Sequence, residues 1–253
     1  MKLILLGCGE IGNYLSRNLS LSHNINIFSL QNSKFLSLKN LIRDSPTKFN
    51  VIDLMDPNSI NIDTRESLLI KAKEIRTIFC NSDLINQYIY LSSSNIYKSS
   101  KEMIFEDSLI KTEGLTEYLK LKINSENFLN EFSMPLSICR IPSVWGQDSN
   151  KNSFFSDLRE AFNSNKFIHY RSNDKEVISY ININDLANLL GHILDNKLTG
   201  VINVSTDSYN TRFNLKAKIN DKETSSIEDC IGIRLSSKRI LWKKYINKTC
   251  LPF

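Results

Sequence analysis

The sequence lacks the cysteine patterns that build a disulfide framework or a zinc site. Its five cysteines are odd in number and widely spaced along 253 residues, and no two of them form a CxxC pair. Disulfide scaffolds use even numbers of cysteines at short spacings, and structural zinc sites need closely spaced thiolate or imidazole ligands. We therefore expect neither a disulfide framework nor a metal site.

Long apolar runs and basic blocks are also missing. A membrane-spanning helix needs about 18 or more apolar residues in a row, and no stretch approaches this length. The apolar run in MKLILLG is too short for a signal peptide and leads straight into glycines. The net charge is only +5 and no Lys/Arg-rich block occurs, which disfavours a nucleic-acid surface. We expect a cytoplasmic protein without membrane or nucleic-acid partners.

Apolar, strand-like runs alternate with helical patterns through most of the chain. This alternation is typical of an α/β protein with a parallel sheet. The expected strands lie within residues 2–6, 24–29, 50–56, 88–97, 135–146 and 200–205. The expected helices lie within residues 11–20, 35–43, 64–77, 116–131, 155–163 and 180–194, the last after a short extended segment. The tail after Tyr209 is the least periodic part.

The segment GCGEIG follows the first predicted strand and opens the first predicted helix. This is the context in which GxGxxG forms a dinucleotide-binding loop. Gly7 would permit the tight turn, Gly9 would let a pyrophosphate approach the backbone, and Gly12 would let the helix pack closely on the strand. The helix N-terminus would then offer N–H groups to the anion. The alternative is a structural turn that binds no nucleotide.

The residues after the second predicted strand favour NADP(H) over NAD(H). NAD-binding folds usually place an acidic residue there, to hold the ribose hydroxyls. Here the stretch reads SLQNSK from Ser29 to Lys34 and contains no carboxylate to repel a 2′-phosphate. Lys34 could pair with that phosphate, although a solvated lysine at the start of a helix is nearly as good an interpretation.

Tyr118 and Lys122 lie four residues apart on a predicted helix, so both side chains project from one face. Tyrosine, with an ordinary pKa of about 10, carries protons poorly at neutral pH, but a neighbouring ammonium group favours its phenolate. Such a tyrosine can take a proton from an alcohol as hydride leaves, or give one to a ketone as hydride arrives. Tyr97 and Lys101 have the same spacing, but they lie in a Ser-rich loop where nothing imposes helical geometry. Ser93, at a strand exit, could hydrogen-bond the substrate oxygen.

In this order, these segments resemble the extended short-chain dehydrogenase/reductase family, whose members act mainly on nucleotide sugars. The resemblance covers about residues 1–206 and rests on GCGEIG, YLSSSNIY, YLKLKINSE, CRIPSVWG, YININDLANLL and GVINVS. The family's catalytic Ser or Thr stands four residues before a tyrosine, which selects Ser93 from its neighbouring serines. The family's YxxxK motif falls on Tyr118 and Lys122, and Glu126 matches the glutamate that often follows.

The resemblance implies a catalytic set of Ser93, Tyr118 and Lys122. Together with the glycine loop, it implies a cofactor-binding set of Gly7, Cys8, Gly9, Glu10, Ile11, Gly12, Ser29, Lys34, Leu54, Met55, Ser92, Tyr118, Lys122, Ile141 and Pro142. The implied substrate-binding set is Ser94, Asn95, Ser143, Val144, Trp145 and Arg171. Two of these have a simpler interpretation, since Trp145 is more often a core or rim residue and Arg171 is equally well a solvated arginine.

The chain also departs from the family pattern. The usual loop is GxxGxxG, one residue longer than the loop here. The run VIDL begins only 42 residues before Ser93, where the family's fourth strand would lie. We therefore expect a Rossmann-type, doubly wound parallel sheet that is one strand–helix unit short, the missing unit being one that normally contacts adenine. Alternatively, VIDL is the third strand and the fourth unit is cut.

The expected domains are a dinucleotide-binding domain over residues 1–145 and a small substrate-binding subdomain over residues 146–253. Residues 180–206 are expected to return partly to the Rossmann core. The resemblance also suggests a homodimer, because family members often pair through two helices beside the catalytic site.

Ser94 and Asn95 follow Ser93 at the positions where the family's sugar 4,6-dehydratases carry an Asp-Glu pair. Neither residue is a base, so dehydration is disfavoured. The remaining reactions are reduction of a 4-keto sugar and 4-epimerisation of a nucleotide-activated sugar, in polysaccharide or glycan precursor biosynthesis. Two alternatives stay open: a reductase of a small carbonyl compound without a nucleotide, and a non-catalytic NAD(P)-binding sensor or partner protein.

Overall fold

The computed structural model describes residues 2–7, 9–19, 24–28, 40, 42, 45–55, 62–146, 154–164, 167, 169, 172–220 and 233–239. The strands are β1 (Lys2–Leu6), β2 (Asn24–Phe28), β3 (Phe49–Asp53), β4 (Ile85–Ser93), β5 (Met103–Ile104), β6 (Leu136–Ile141), β7 (Ser143–Trp145), β8 (Val177–Asn182), β9 (Gly200–Asn203), β10 (Tyr209–Thr211) and β11 (Arg234–Leu235). The helices are α1 (Glu10–Leu19), α2 (Ile62–Cys80), α3 (Glu117–Asn130), α4 (Phe154–Asn163), α5 (Ile183–Asp195) and α6 (Arg212–Ile219).

A six-stranded parallel sheet forms the centre of the fold, in the order β2-β1-β3-β4-β6-β9. In β1, Leu3 faces Ile25 of β2 on one side and Asn50 of β3 on the other. The strand is apolar throughout its buried length because helices cover both faces of such a sheet. The strand order reverses at β1, and ligands of open α/β sheets bind outside the carboxyl ends of the strands at such a point.

The position of β3 decides between the two readings of VIDL. A Rossmann sheet of order 3-2-1-4-5-6 has its fourth strand directly beside its first. Here β3 pairs with β1 in parallel, from Lys2 beside Phe49 to Leu6 beside Asp53. Within the described residues the sheet ends at β2. VIDL therefore occupies the fourth position, and the described sheet is one unit short on the β2 side, as the sequence indicated.

Most predicted elements that fall on described residues form within a few residues of their expected bounds. The strand with a Ser-rich exit that was expected within residues 88–97 runs from Ile85 to Ser93, and a short 3-10 turn, Ser94–Ile96, follows it. Ser93 Oγ accepts a hydrogen bond from the Asn95 N–H and thereby caps that turn. The weakly periodic tail contributes β10, α6 and β11. The helix expected over residues 35–43 lies outside the described residues, except for positions 40 and 42.

By contact density the chain divides into two interleaved units. The first comprises Met1–Ser92, Gly114–Cys139 and Leu190–Val201. Its core is an apolar cluster that strands and helices share, including Ile4, Val51, Phe79, Tyr88 and Leu129. The second comprises Ser93–Glu113, Arg140–Leu189 and Ile202–Phe253. It contains a three-stranded sheet of order β10-β8-β7, a parallel pair of β5 with β11, and an apolar cluster of Phe155, Leu158, Tyr180 and Leu215.

No helix among the described residues is long and apolar enough to cross a bilayer.

The thiol of Cys80 should resist alkylation in the folded protein. Burial, with a further contribution from the nearby Asp53 carboxylate, raises its pKa to about 12. The thiolate is the reactive species, so very little of it exists at about pH 8.5, the ordinary pKa of a thiol. We expect iodoacetamide at that pH to modify Cys80 only after denaturation, as measured by peptide mass mapping. Buried Cys139, whose pKa burial also raises, should behave alike. Rapid modification of either thiol in the native protein would contradict the packing described here.

Candidate active site

The glycine loop between β1 and α1 is held in a conformation that only glycine suits. Gly7 has a φ of +102°, which L side chains rarely adopt. A Cβ at Gly12 would lie 2.3 Å from the carbonyl oxygen of Gly7, so the helix packs backbone against backbone on the strand exit. Two of the three glycines are therefore needed for the turn itself.

Gly9 differs, because a Cβ added there would meet no atom within 4 Å. The space beside Gly9 is open, next to the first turn of α1, where Asn13 N donates to Gly9 O at 2.8 Å. A helix N-terminus attracts anions through its backbone N–H groups and its dipole. The conformation at Gly7, the contact at Gly12 and the space at Gly9 fit the three roles that a dinucleotide cradle requires.

The exit of β3 forms one wall of this loop. A Cβ at Gly7 would lie 3.2 Å from the backbone of Leu54, and Leu54 N donates to Leu6 O at 2.8 Å. Met55 is buried. The structure thus brings Leu54 of the expected cofactor set against the glycine loop.

Beneath this exit lies a buried polar network that the sequence did not indicate. The Asp53 carboxylate is fully buried and accepts hydrogen bonds from Arg76 Nε, Tyr88 Oη and Met55 N, each at 2.7 Å. Burial, followed by the Asp53 charge, raises the pKa of Tyr88 well above its ordinary value, so Tyr88 remains a donor. Arg76 also donates to Ser125 Oγ on α3 at 2.8 Å. Two features of the sequence could have indicated this network. One is an aspartate at the end of an apolar strand, and the other is an arginine within a helix that covers the sheet.

Helix α3 carries the Tyr118–Lys122 pair. Thr116 caps the helix by accepting from Leu119 N. Lys122 is 6% exposed, and its Nζ lies 5.6 Å from the centre of the Tyr118 ring. The same Nζ donates to the Leu91 carbonyl oxygen of β4 at 2.6 Å. Tyr118 is 36% exposed, so a solvent-accessible phenol stands over a buried ammonium group.

The other motif pair, Tyr97 and Lys101, has no such geometry. Tyr97 is fully buried; its Oη donates to Asn203 Oδ1 at 2.8 Å and accepts from Arg140 Nη1 at 2.9 Å. A phenol held in this way cannot meet a substrate, so Tyr97 is a structural residue. Arg140, which begins the RIPSVWG segment, is likewise buried against the Tyr97 ring.

The serines at the end of β4 have distinct environments. Ser92 is buried and donates to Glu126 of α3. Ser93 is the last residue of β4, and because its Oγ accepts from Asn95 N, its hydroxyl proton can still be donated. Ser94 is buried, whereas Asn95 is exposed.

The segment from Ile141 to Trp145 contains the last residue of β6 and the short strand β7. Ser143, Val144 and Trp145 form β7 and pair in parallel with β8. All three are partly buried, and Trp145 packs against the cluster that contains Phe155 and Tyr180. Trp145 therefore packs against the apolar cluster of the second unit while remaining partly exposed.

Four residues of the expected sets, Cys8, Ser29, Lys34 and Arg171, lie outside the described residues. Among the residues that are described, no group of three or more histidine, cysteine, aspartate or glutamate side chains is placed to hold a metal ion.

Sequence comparison finds no matching family model and no matching curated protein. Structural comparison does find solved structures of similar fold. A UDP-glucose 4-epimerase of Thermus thermophilus, in complex with NAD, matches with a TM-score of 0.75 at 12% identity over 100% of this chain and 96% of its own. The UDP-glucuronic acid 4-epimerase of Bacillus cereus, in complex with NAD, matches with a TM-score of 0.73 at 17% identity over 100% and 95%.

A dTDP-4-dehydrorhamnose reductase from Clostridium acetobutylicum matches with a TM-score of 0.69 at 15% identity, over 100% of this chain and 88% of its own. All three matches span the whole of this chain, so the similarity extends beyond the six-stranded sheet to the second unit. The chain therefore has the α/β fold of the extended short-chain dehydrogenases/reductases.

Proposed function

We propose that the chain is an NAD(P)-dependent oxidoreductase that acts on a nucleotide-activated sugar, by 4-keto reduction or 4-epimerisation, in polysaccharide or glycan precursor biosynthesis. The observation that carries this proposal is the Tyr118–Lys122 pair on α3, in which a solvent-accessible phenol lies close to a buried ammonium group. Helix α3 belongs to the same unit as the glycine loop. A structural pair would not need the phenol exposed.

The glycine loop and the exit of β3 are the part of the chain that would hold the dinucleotide. The pyrophosphate would lie in the open space at Gly9, against the first turn of α1, with Glu10 and Ile11 beside it. Leu54 and Met55 would border the same crevice. When bound, a nicotinamide dinucleotide supplies or accepts the hydride.

Tyr118 would move the proton that accompanies the hydride. In reduction, its hydroxyl would donate to the carbonyl oxygen of the substrate as that carbon accepts hydride; in the oxidative direction the phenolate would take the alcohol proton. The ammonium group of Lys122 lies 5.6 Å from the centre of the ring that would carry this proton. Ser93, with a proton left to donate, would hydrogen-bond the same substrate oxygen.

The substrate class is supported by the fold and by the residues beside Ser93. Solved structures that this chain resembles include MoeE5 with UDP-glucose and NAD, and the sugar 4-epimerases and reductase above. Ser94 and Asn95 offer no base for dehydration, so reduction and epimerisation remain. Ser143, Val144, Trp145 and Arg171 stay the candidates for sugar contacts, and NADP(H), suggested by Ser29 and Lys34, stays the preferred cofactor. Assembly as a homodimer and a cytoplasmic location also remain part of the proposal.

Replacing Gly9 with valine should abolish dinucleotide binding without unfolding the protein. The added side chain would enter the open space in which the pyrophosphate is expected, and its Cβ would meet no protein atom within 4 Å. We expect the thermal midpoint to change little while NADPH binding, measured by calorimetric titration, is lost. The matched variant Gly12→Val should instead lower the thermal midpoint strongly, because its Cβ would collide with the Gly7 carbonyl oxygen. Undiminished NADPH binding by Gly9→Val would refute the cradle assignment.

Replacing Tyr118 with phenylalanine should remove turnover and preserve the cofactor site. Loss of a general acid–base typically lowers the rate by about 10²–10⁴-fold. We expect that loss in kcat on a panel of 4-keto nucleotide sugars and UDP-hexoses, with the NADPH dissociation constant unchanged.

Tyr97→Phe is the control, since it alters the second YxxxK pair. It should reduce thermal stability, because Arg140 and Asn203 lose a buried partner, yet keep most of the activity below its unfolding transition. Full activity of Tyr118→Phe would exclude the proposed mechanism. Activity on carbonyl compounds without a nucleotide, or cofactor binding without any turnover, would favour the respective alternative function.

A further inference from the structure

Arg76 of α2 donates hydrogen bonds to two separate segments of the first unit, the exit of β3 and helix α3, and its three partner residues are buried. Its Nε donates to Asp53 Oδ2 at 2.7 Å, its Nη2 to the Met55 carbonyl oxygen at 2.9 Å, and its Nη1 to Ser125 Oγ at 2.8 Å. Arg76 itself is 4% exposed. A planar guanidinium group can hold several acceptors in a fixed arrangement, which a lysine ammonium on a flexible stem cannot do.

Two of these bonds fix the exit of β3. Asp53 and Met55 flank Leu54 in the sequence, and both accept hydrogen bonds from Arg76. Asp53 Oδ1 also accepts from Met55 N, which closes the turn on itself. Leu54 is the residue whose backbone borders Gly7. The wall of the glycine loop is therefore held in place by Arg76.

The third bond fixes the helix that bears Tyr118. Ser125 lies on the buried face of α3, together with Lys122 and Glu126. The guanidinium carbon of Arg76 and the Nζ of Lys122 each lie 5.1 Å from the centre of the Tyr90 ring. Arg76 and Lys122 thus share Tyr90 as a common neighbour, and Ser125 lies less than one helical turn from Lys122.

We propose that Arg76 is a positioning residue that sets the placement of the Tyr118–Lys122 pair relative to the dinucleotide cradle. It holds the cradle through Asp53 and Met55, and the helix through Ser125. This inference rests on the proposed function, because it assigns Arg76 a role in aligning the proton donor with the cofactor. Misplacement of reacting groups by about 1 Å can lower a rate by about a hundredfold, so a small change in the register of α3 would be measurable.

Ser125→Ala tests the helix connection while leaving the Arg76–Asp53 ion pair intact. We expect kcat to fall about tenfold, with KM and the NADPH dissociation constant unchanged. The matched control is Ser137→Ala, which also removes a buried serine hydroxyl of the first unit, one bonded to Gln87 and to the Leu198 carbonyl oxygen. It should leave kcat within about twofold, since Ser137 contacts neither α3 nor the exit of β3 in those bonds. Equal effects of the two substitutions on kcat would overturn the positioning role.

Arg76→Lys tests the cradle connection. Lysine keeps the charge beside Asp53 but cannot hold all three acceptors, so we expect the NADPH dissociation constant to rise about tenfold and kcat to fall. Ser125→Ala should leave the NADPH dissociation constant unchanged. If Arg76→Lys binds NADPH as the wild type does, the inference is wrong.

The wild-type protein separates this inference from the proposed function. If it binds NADPH but turns over no substrate of the panel, the proposed reaction fails, and the dissociation constants of Arg76→Lys and Ser125→Ala still decide whether Arg76 positions the cradle. If it binds neither NADPH nor NADH, the proposed function and the positioning role both fail.

Discussion

The fully buried carboxylate of Asp53 constrains how the elements of the first unit can pack. An ionised carboxylate out of water needs a paired charge and hydrogen-bond donors. Arg76, Tyr88 and the Met55 N–H supply them. Removing one partner of a buried ion pair typically costs about 3–5 kcal/mol. These hydrogen bonds therefore fix the position of α2 on the sheet. They also fix the backbone conformation at the exit of β3, which borders the glycine loop.

The sequence predicted the elements whose signals are local. The strand β1 has the expected bounds because its apolar run has no polar interruption, and α3 begins at the expected place because Thr116 caps it. The pairing of Asp53 with Arg76 was not predicted, since the two residues come from different elements and meet only after β3 has joined the sheet beside β1. The exit of β4 was predicted for a local reason as well. The strand ends in the Ser-rich stretch, at Ser93, whose side chain accepts a hydrogen bond from the backbone N–H of Asn95.

The two YxxxK pairs show what residue spacing cannot supply. Tyr97 and Tyr118 have the same relation to a lysine four residues later, yet one phenol is fully buried in two hydrogen bonds and the other is 36% exposed. Solvent access comes from tertiary packing. The helical position of Tyr118 was a sound reason to prefer it, and the burial of Tyr97 gives an independent one. Of the two tyrosines, only Tyr118 has a phenol that a substrate can reach.

The shortened sheet determines which half of the proposed dinucleotide would meet a complete set of strand exits. The crevice at the reversal of strand order lies between the exits of β1 and β3, and both strands are present with their parallel pairing. The pyrophosphate end of the proposed site therefore keeps all of its backbone elements. Within the described residues the reduction falls beyond β2, on the side where adenine and its ribose would lie. Under the proposed function, selection between NADP(H) and NAD(H) would then fall to the residues that directly follow β2 in the sequence, Ser29 to Lys34, because fewer strand exits remain on that side to contribute contacts.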